Sequence, residues 1–115
     1  MAKNRISDGD GTAALAALGS QLPTAVRYLL QKLEASNPGG TIEVRVPPYG
    51  AVQLIGGMNH RRGTPPNVVE LGPEEFLSLA LGKTSWEELS LAGKLLASGA
   101  RAQELRNLFP IPGVR

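Results

Sequence analysis

The residues best suited to chemistry form one short polar run, His60-Arg61-Arg62. Guanidinium groups bind carboxylates and phosphates through paired hydrogen bonds, so Arg61 and Arg62 are candidates for holding an anionic head group. His60, and Arg45 from a predicted neighbouring strand, are candidates to join them. The alternative is a solvated loop or a charged edge strand that resists aggregation between sheets, since charge runs usually face water. The sequence leaves both interpretations open.

Catalysis and metal binding have little support in the sequence. His60 is the only histidine, and cysteine is absent. A catalytic histidine needs an orienting carboxylate and a nearby nucleophile, and no spacing singles out such partners. Zinc sites usually take three or four protein ligands. We therefore expect no catalytic residue, no metal site and no cofactor.

Size, charge and hydropathy place the chain among ordinary globular domains. It has 115 residues, of which 42% are hydrophobic, and a formal net charge of +2, too small to indicate nucleic-acid binding. No apolar run approaches the ~20 residues of a membrane span, and the N-terminus lacks the apolar core of a secretion signal. We expect a cytoplasmic protein without a transmembrane segment, with a flexible leader at residues 1–11 and one domain over residues 12–115.

Hydrophobic periodicity predicts an α+β domain. Apolar residues at i, i+3, i+4 and i+7 predict an amphipathic helix over residues 23–35, and strict alternation predicts a strand over residues 41–46. Thr84 and Glu87 have the spacing of a helix capping box. Further strands are predicted at residues 51–55, 68–71 and 94–98, and further helices at residues 12–18, 73–81, 84–92 and 100–108. The short link between the strands at 41–46 and 51–55 predicts antiparallel pairing.

The segment from residue 67 to residue 109 resembles the C-terminal half of the sterol carrier protein family. Its strand, short helix, second helix, Gly-Lys-Leu strand and closing helix follow the family's order. The residues that carry the resemblance are Phe76-Leu77-Ser78-Leu79-Ala80-Leu81-Gly82-Lys83, Gly93-Lys94-Leu95 with Gly99, and Leu105-Arg106-Asn107-Leu108. The stretches VPPYGAVQ and HRRGTPPNVVE resemble a small bacterial branch common in actinobacteria. The resemblance covers about residues 12–110 and implies a mostly antiparallel sheet of about five strands with helices packed on it.

The resemblance also implies a function: non-catalytic binding of a fatty acyl lipid or sterol-like molecule in a tunnel between sheet and helices. The candidate lining residues are apolar side chains of the predicted strands and helices. They are Leu54, Val69, Phe76, Leu77, Leu81, Trp86, Leu89, Leu105, Leu108 and Phe109. Aromatic residues at helical spacing fit core packing as well as a pocket wall, so the sequence alone does not separate the two roles.

Two other functions stay open. A protein-interaction or homodimerisation module of the same fold, with a filled core and no small ligand, would use the strand edge near residues 58–63 and the bend at Tyr49. The fold is also similar to the C-terminal domain of bacterial thiol-dependent isomerases of the maleylpyruvate type. Because the metal-binding catalytic bundle of those enzymes is missing here, we expect no activity from this chain alone.

Overall fold

A computed structural model describes residues 5–56 and 65–114. Helices α1 to α4 run over Asp8–Ala16, Leu18–Ser36, Pro73–Ala80 and Trp86–Leu91, and a 3-10 helix runs over Ala102–Leu108. Strands β1 to β4 run over Pro38–Val46, Gly50–Leu54, Asn67–Leu71 and Leu95–Ser98. The α+β class is therefore confirmed, and most strand bounds lie within one or two residues of the predicted ones.

The described strands form one mixed sheet in the order β2-β1-β3-β4. The β1–β2 and β3–β4 pairs are antiparallel, but the central pair, β1 and β3, is parallel. The described residues thus give four strands where about five were predicted. The parallel pair follows from the path of the chain. Strand β2 runs antiparallel to β1 and ends beside Ile42, and β3 begins on the other side of the same residue, so β3 runs in the direction of β1.

One face of the sheet is buried by helices. The alternation in β1 places Ile42, Val44 and Val46 inward, each fully buried, and Glu43 and Arg45 on the other face. Helix α2 covers the inner face with its apolar stripe. That stripe consists of Ala25, Val26, Leu29, Leu30 and Leu33, all buried. Helix α3 and the 3-10 helix complete the apolar layer, in which Phe76 and Leu105 are fully buried.

Helices α1 and α2 begin earlier than predicted. Helix α1 starts at Asp8, capped by the Ser7 hydroxyl, which accepts a hydrogen bond from the Asp10 amide at 3.0 Å. The predicted start at Thr12 is therefore wrong. Helix α2 starts at Leu18 and is bent at Gln21, whose φ of −123° is not helical, so the residues before Pro23 form a separate first turn.

The second half of the chain departs from prediction in two details. The cap of α4 is Ser85 with Glu88, one residue later than the predicted Thr84 and Glu87. The Ser85 amide donates to Glu88 Oε1 at 3.0 Å, and the Glu88 amide donates to Ser85 Oγ at 3.1 Å. The hydrogen bond from the Ser85 amide, followed by those from the Ser85 and Thr84 hydroxyls, lowers the pKa of Glu88. The closing helix, predicted over residues 100–108, starts two residues later and is a 3-10 helix.

Candidate apolar binding site

An apolar cleft of about 450 Å³ opens between α1, α2, the end of α3 and the C-terminal segment. Its lining residues are Thr12, Leu15, Ala16, Tyr28, Leu81, Lys83, Gly113 and Val114. Small-molecule sites in proteins typically measure about 300–1,000 Å³ and are mostly apolar with a few polar groups. The cleft has this character, since its described lining is mostly apolar and includes the charged side chain of Lys83.

Local structure fixes both walls of this apolar cleft. Leu81 ends α3, where its amide bonds to the Leu77 carbonyl at 2.9 Å, and Gly82 at a φ of +78° then turns the chain away. On the other wall, the Tyr28 hydroxyl donates to Asp8 Oδ1 at 2.7 Å, and this bond raises the pKa of Tyr28. A Cβ on Gly11 would lie 2.3 Å from the Tyr28 ring, so glycine allows α1 and α2 to meet closely.

The apolar residues predicted to line a tunnel are mostly in the core. Leu54, Val69, Phe76 and Leu105 are completely buried, and Leu77, Trp86 and Leu89 are nearly so. Leu81, Leu108 and Phe109 are half-buried against the same core. Leu81 lines the apolar cleft, whereas Leu108 lines a smaller cleft of about 290 Å³ beside Leu33 and Ile111. The role of all these residues toward a ligand stays a prediction.

The aromatic side chains among them tie α3 and α4 to the 3-10 helix. Phe76 and Phe109 meet edge to face, with ring centroids 6.2 Å apart and planes at 89°. The Trp86 indole N–H donates to Gln103 Oε1 at 3.0 Å. The phenylalanine rings and the indole N–H thus have their partners within the protein, which is consistent with a packing role.

The predicted head-group residues do not meet at the apolar cleft in the described part of the chain. Arg45 lies on the sheet face away from the helices, where it forms an ion pair with Glu43. This carboxylate, followed by Glu70, raises the pKa of Arg45. His60, Arg61 and Arg62 lie outside the described residues, so their role stays a prediction.

Leu15, Tyr28 and Val114 were not predicted as site residues. They come from three separate segments, so no local pattern brings them together. The one usable signal is the pairing of a small residue, Gly11, with a large one, Tyr28, on consecutive helices. Such pairs mark close helix contacts, but they do not mark a cleft.

Residues 5–56 and 65–114 offer neither a metal-binding cluster nor a membrane-spanning helix. These residues contain no group of three His, Cys, Asp or Glu side chains placed to hold a metal ion. Their helices include none with the length and apolarity needed to cross a membrane.

The fold and cleft define an α+β domain with helices on one sheet face and an apolar site between the helices. Residues 19–111 match the family described as bacterial SCP ortholog, and the chain belongs to that family. The predicted membership in the sterol carrier protein group is thereby confirmed. A solved structure similar to the chain is sterol carrier protein 2 from Yarrowia lipolytica in its apo form. It is 15% identical, the match covers 92% of this chain and 94% of that chain, and the TM-score is 0.43. No curated protein matches the chain.

Proposed function

We propose that the protein binds an apolar molecule, with a fatty acyl chain as the first candidate, and performs no reaction on it. The observation that carries this proposal is the apolar cleft at Leu81, which leads from the surface to the end of α3. Membership in the bacterial SCP ortholog family supports an apolar ligand. In this proposal the protein acts in the cytoplasm as a carrier.

The chemistry of the cleft suits an acyl chain. Leu15 and Leu81 are half-buried, so each still has apolar surface to remove from water. Burial of such surface contributes about 25 cal/mol per Å². Lys83 is exposed at the rim, where its ammonium group attracts a carboxylate but adds little affinity because water screens it.

Replacing Leu81 with glutamine tests this site. We expect the Kd for cis-parinaric acid, a fluorescent fatty acid, to rise roughly tenfold, because losing part of one leucine's burial removes about 1.4 kcal/mol. The matched control is Leu91→Gln, the same change at a leucine that is 90% exposed on α4. This control should bind like the wild type.

Two results would contradict the proposal: no saturable binding of cis-parinaric acid by the wild type, or equal weakening in Leu81→Gln and Leu91→Gln. Native mass spectrometry of protein purified gently from its host, followed by solvent extraction, would then identify the class of any ligand it carries. A stoichiometric acyl lipid supports the carrier role.

A second candidate function is self-association, and one observation favours it. Strand β4 lies at the edge of the sheet, and its Leu96 is 65% exposed. An edge strand with an exposed apolar side chain is a template for pairing with another strand. A second copy of the chain could pair antiparallel along β4 and cover Leu96.

Substitution of Leu96 separates this candidate from the carrier role. Leu96 lies opposite Glu70 on β3, so Leu96→Lys gains a cross-strand ion pair while it removes the apolar contact. We expect sedimentation equilibrium to show association of the wild type and a monomeric Leu96→Lys, with stability changed by less than about 0.5 kcal/mol. Leu96→Glu should also be monomeric but less stable, because it faces a like charge. A wild type that stays monomeric at every concentration would exclude self-association through β4.

A further inference from the structure

A second cleft, of about 440 Å³, lies between residues 5–6, helix α2 and strand β2. We call it the arginine cleft. Its lining residues are Arg5, Ile6, Thr24, Arg27, Leu30, Gln31, Glu34, Tyr49, Gly50, Ala51 and Val52. None of them lines the apolar cleft, so the two sites are separate on the surface.

Ion pairing distinguishes the two arginines of the arginine cleft from the other described arginines. Arg45, Arg101 and Arg106 each pair with a carboxylate. In contrast, within residues 5–56 and 65–114 neither Arg5 nor Arg27 forms an ion pair. A cleft lined by two arginines of this kind favours an anion, since guanidinium groups bind carboxylate and phosphate oxygens in pairs.

One carboxylate, Glu34, also lines the arginine cleft, at its other end. Arg27 and Glu34 are seven residues apart on α2, which places their backbones about 10 Å apart along the helix axis. The cleft therefore has a cationic end near Thr24 and Arg27 and an acidic end near Val52. An anion would occupy the first of these ends.

The segment that carries Arg5 is held in place by Gln31. The Gln31 amide donates to the Ile6 carbonyl at 2.8 Å, and its oxygen accepts from the Ile6 amide at 2.9 Å. One side chain thus satisfies both backbone groups of Ile6 and holds the backbone that leads to Arg5 against α2. This arrangement lowers the entropy lost when Arg5 binds a ligand.

The stem of Arg27 passes beside the start of β2. A Cβ on Gly50 would lie 3.9 Å from Arg27 Cγ and 3.2 Å from Leu30 Cδ1, so both side chains extend over this glycine. Leu30 is buried, and Tyr49 and Val52 are half-buried against the same core. The floor of the arginine cleft between its two ends is therefore apolar.

We propose that the arginine cleft binds a small amphiphilic anion, a phosphate monoester or carboxylate attached to a compact apolar group. Arg5 and Arg27 bind the anionic oxygens, and the Thr24 hydroxyl donates a further hydrogen bond. The apolar group packs on Leu30, Tyr49 and Val52. This site is additional to the acyl-binding function and does not depend on it.

The test uses phenyl phosphate as the probe and the full chain labelled with ¹⁵N. Titration followed by NMR should give saturable shifts at the amides of Thr24, Gly50 and Ala51. Inorganic phosphate, which lacks the apolar group, should bind at least threefold more weakly. Phosphatidylcholine vesicles containing phosphatidic acid present the same phosphate chemistry on a membrane, and no comparable binding to them is expected.

Matched variants locate the site. Arg27→Gln should raise the Kd for phenyl phosphate at least tenfold, whereas Lys94→Gln, with the same change in charge at an exposed lysine, should not change it. Arg5→Gln and Gln31→Ala should each weaken binding, and the double variant should be no weaker than Arg5→Gln alone. That non-additivity is the signature of Gln31 acting only by positioning Arg5.

Several outcomes would overturn the proposal. They are the absence of saturable shifts, equal losses in Arg27→Gln and Lys94→Gln, inorganic phosphate binding as tightly as phenyl phosphate, or binding to the vesicles alone. The last result would assign these arginines to a membrane surface. Leu81→Gln should leave phenyl phosphate binding intact, so failure of the acyl site and failure of the arginine cleft are distinguishable.

Discussion

Replacing Phe76 with alanine should lower the free energy of unfolding by about 3–5 kcal/mol, the usual cost of truncating a buried aromatic residue. Phe76 has no exposed surface, and its ring packs edge to face on Phe109. It lies in the middle of α3, so neighbouring backbone has little freedom to collapse into the space left behind. Both the lost burial and the new cavity contribute to this cost.

The same variant tells a filled core from an open tunnel. If Phe76 borders a tunnel, truncation only widens an existing space, and the loss should stay below about 2 kcal/mol because no new cavity is created. Urea denaturation followed by circular dichroism measures the difference. Leu91→Ala, at a side chain that is 90% exposed, is the control and should change stability by less than about 0.5 kcal/mol.

Ligand binding by Phe76→Ala adds a second measurement. With a filled core, the variant gains a dry apolar cavity, and apolar cavities of this kind bind small apolar molecules. Benzene should then stabilise Phe76→Ala and leave the wild type unchanged. A small stability loss together with benzene binding by the wild type would place an open tunnel behind α3.

The strands and helices were predictable where the pattern was local. Alternation from Ile42 to Val46 defined β1 and its two faces, and the short turn that follows required β2 to be antiparallel. The parallel pairing of β1 with β3 was not predictable in this way. It depends on which end of the sheet the chain re-enters, and that is a property of the whole path.

Other differences arise where the sequence offers near-equal choices. Thr84 and Ser85 are both good caps, and acids follow at Glu87 and Glu88, so either register satisfies the local rules. Placing Ser85 at the cap makes Trp86 the first helical residue, and Trp86 and Leu89 are then both buried. Tertiary packing therefore decides the register.

The candidate site was predictable only in part. Hydrophobic pattern identified residues that are buried, such as Val69 and Leu105, but burial is common to core residues and pocket walls. Leu81 is both a predicted lining residue and part of the apolar cleft. Alternation had already placed Arg45 on the face opposite Val44, and its pairing with Glu43 is what the sequence could not show. The arginine cleft brings together residues 5, 27 and 50, which are far apart in the sequence and become neighbours only in the folded chain.

Replacing Asn67 with alanine should cost roughly 2–6 kcal/mol, since it leaves two backbone groups without a partner and each such group costs about 1–3 kcal/mol. Asn67 is 4% exposed at the start of β3. Its Nδ2 donates to the Thr41 carbonyl at 2.9 Å, and its Oδ1 accepts from the Arg101 amide at 2.8 Å. A Cβ on Gly99 would lie 2.4 Å from Oδ1, which shows how closely the backbone surrounds this amide.

The two hydrogen bonds join β1 and β3 to the segment that leads into the 3-10 helix. The variant Asn67→Asp removes the bond to Thr41 and keeps the bond from Arg101, so it tests the first bond alone. The introduced carboxyl group keeps the acceptor for the Arg101 amide but, once ionised, turns an oxygen toward the Thr41 carbonyl. We expect burial and this repulsion to outweigh the hydrogen bond from the Arg101 amide, so that the pKa of the introduced carboxyl group in the folded state lies above the ordinary value of about 3.9. Below that value both states are protonated and the variant is close to wild type. As the pH rises, the unfolded state ionises first, so stability should fall until the folded pKa is passed.

Urea denaturation from pH 3 to 7 measures this fall in stability, with Asn107→Ala, at an exposed asparagine, as the control. A stability of Asn67→Asp that does not change between pH 3 and pH 7 would contradict this prediction, because it would show that the ionised carboxylate meets no net repulsion beside the Thr41 carbonyl.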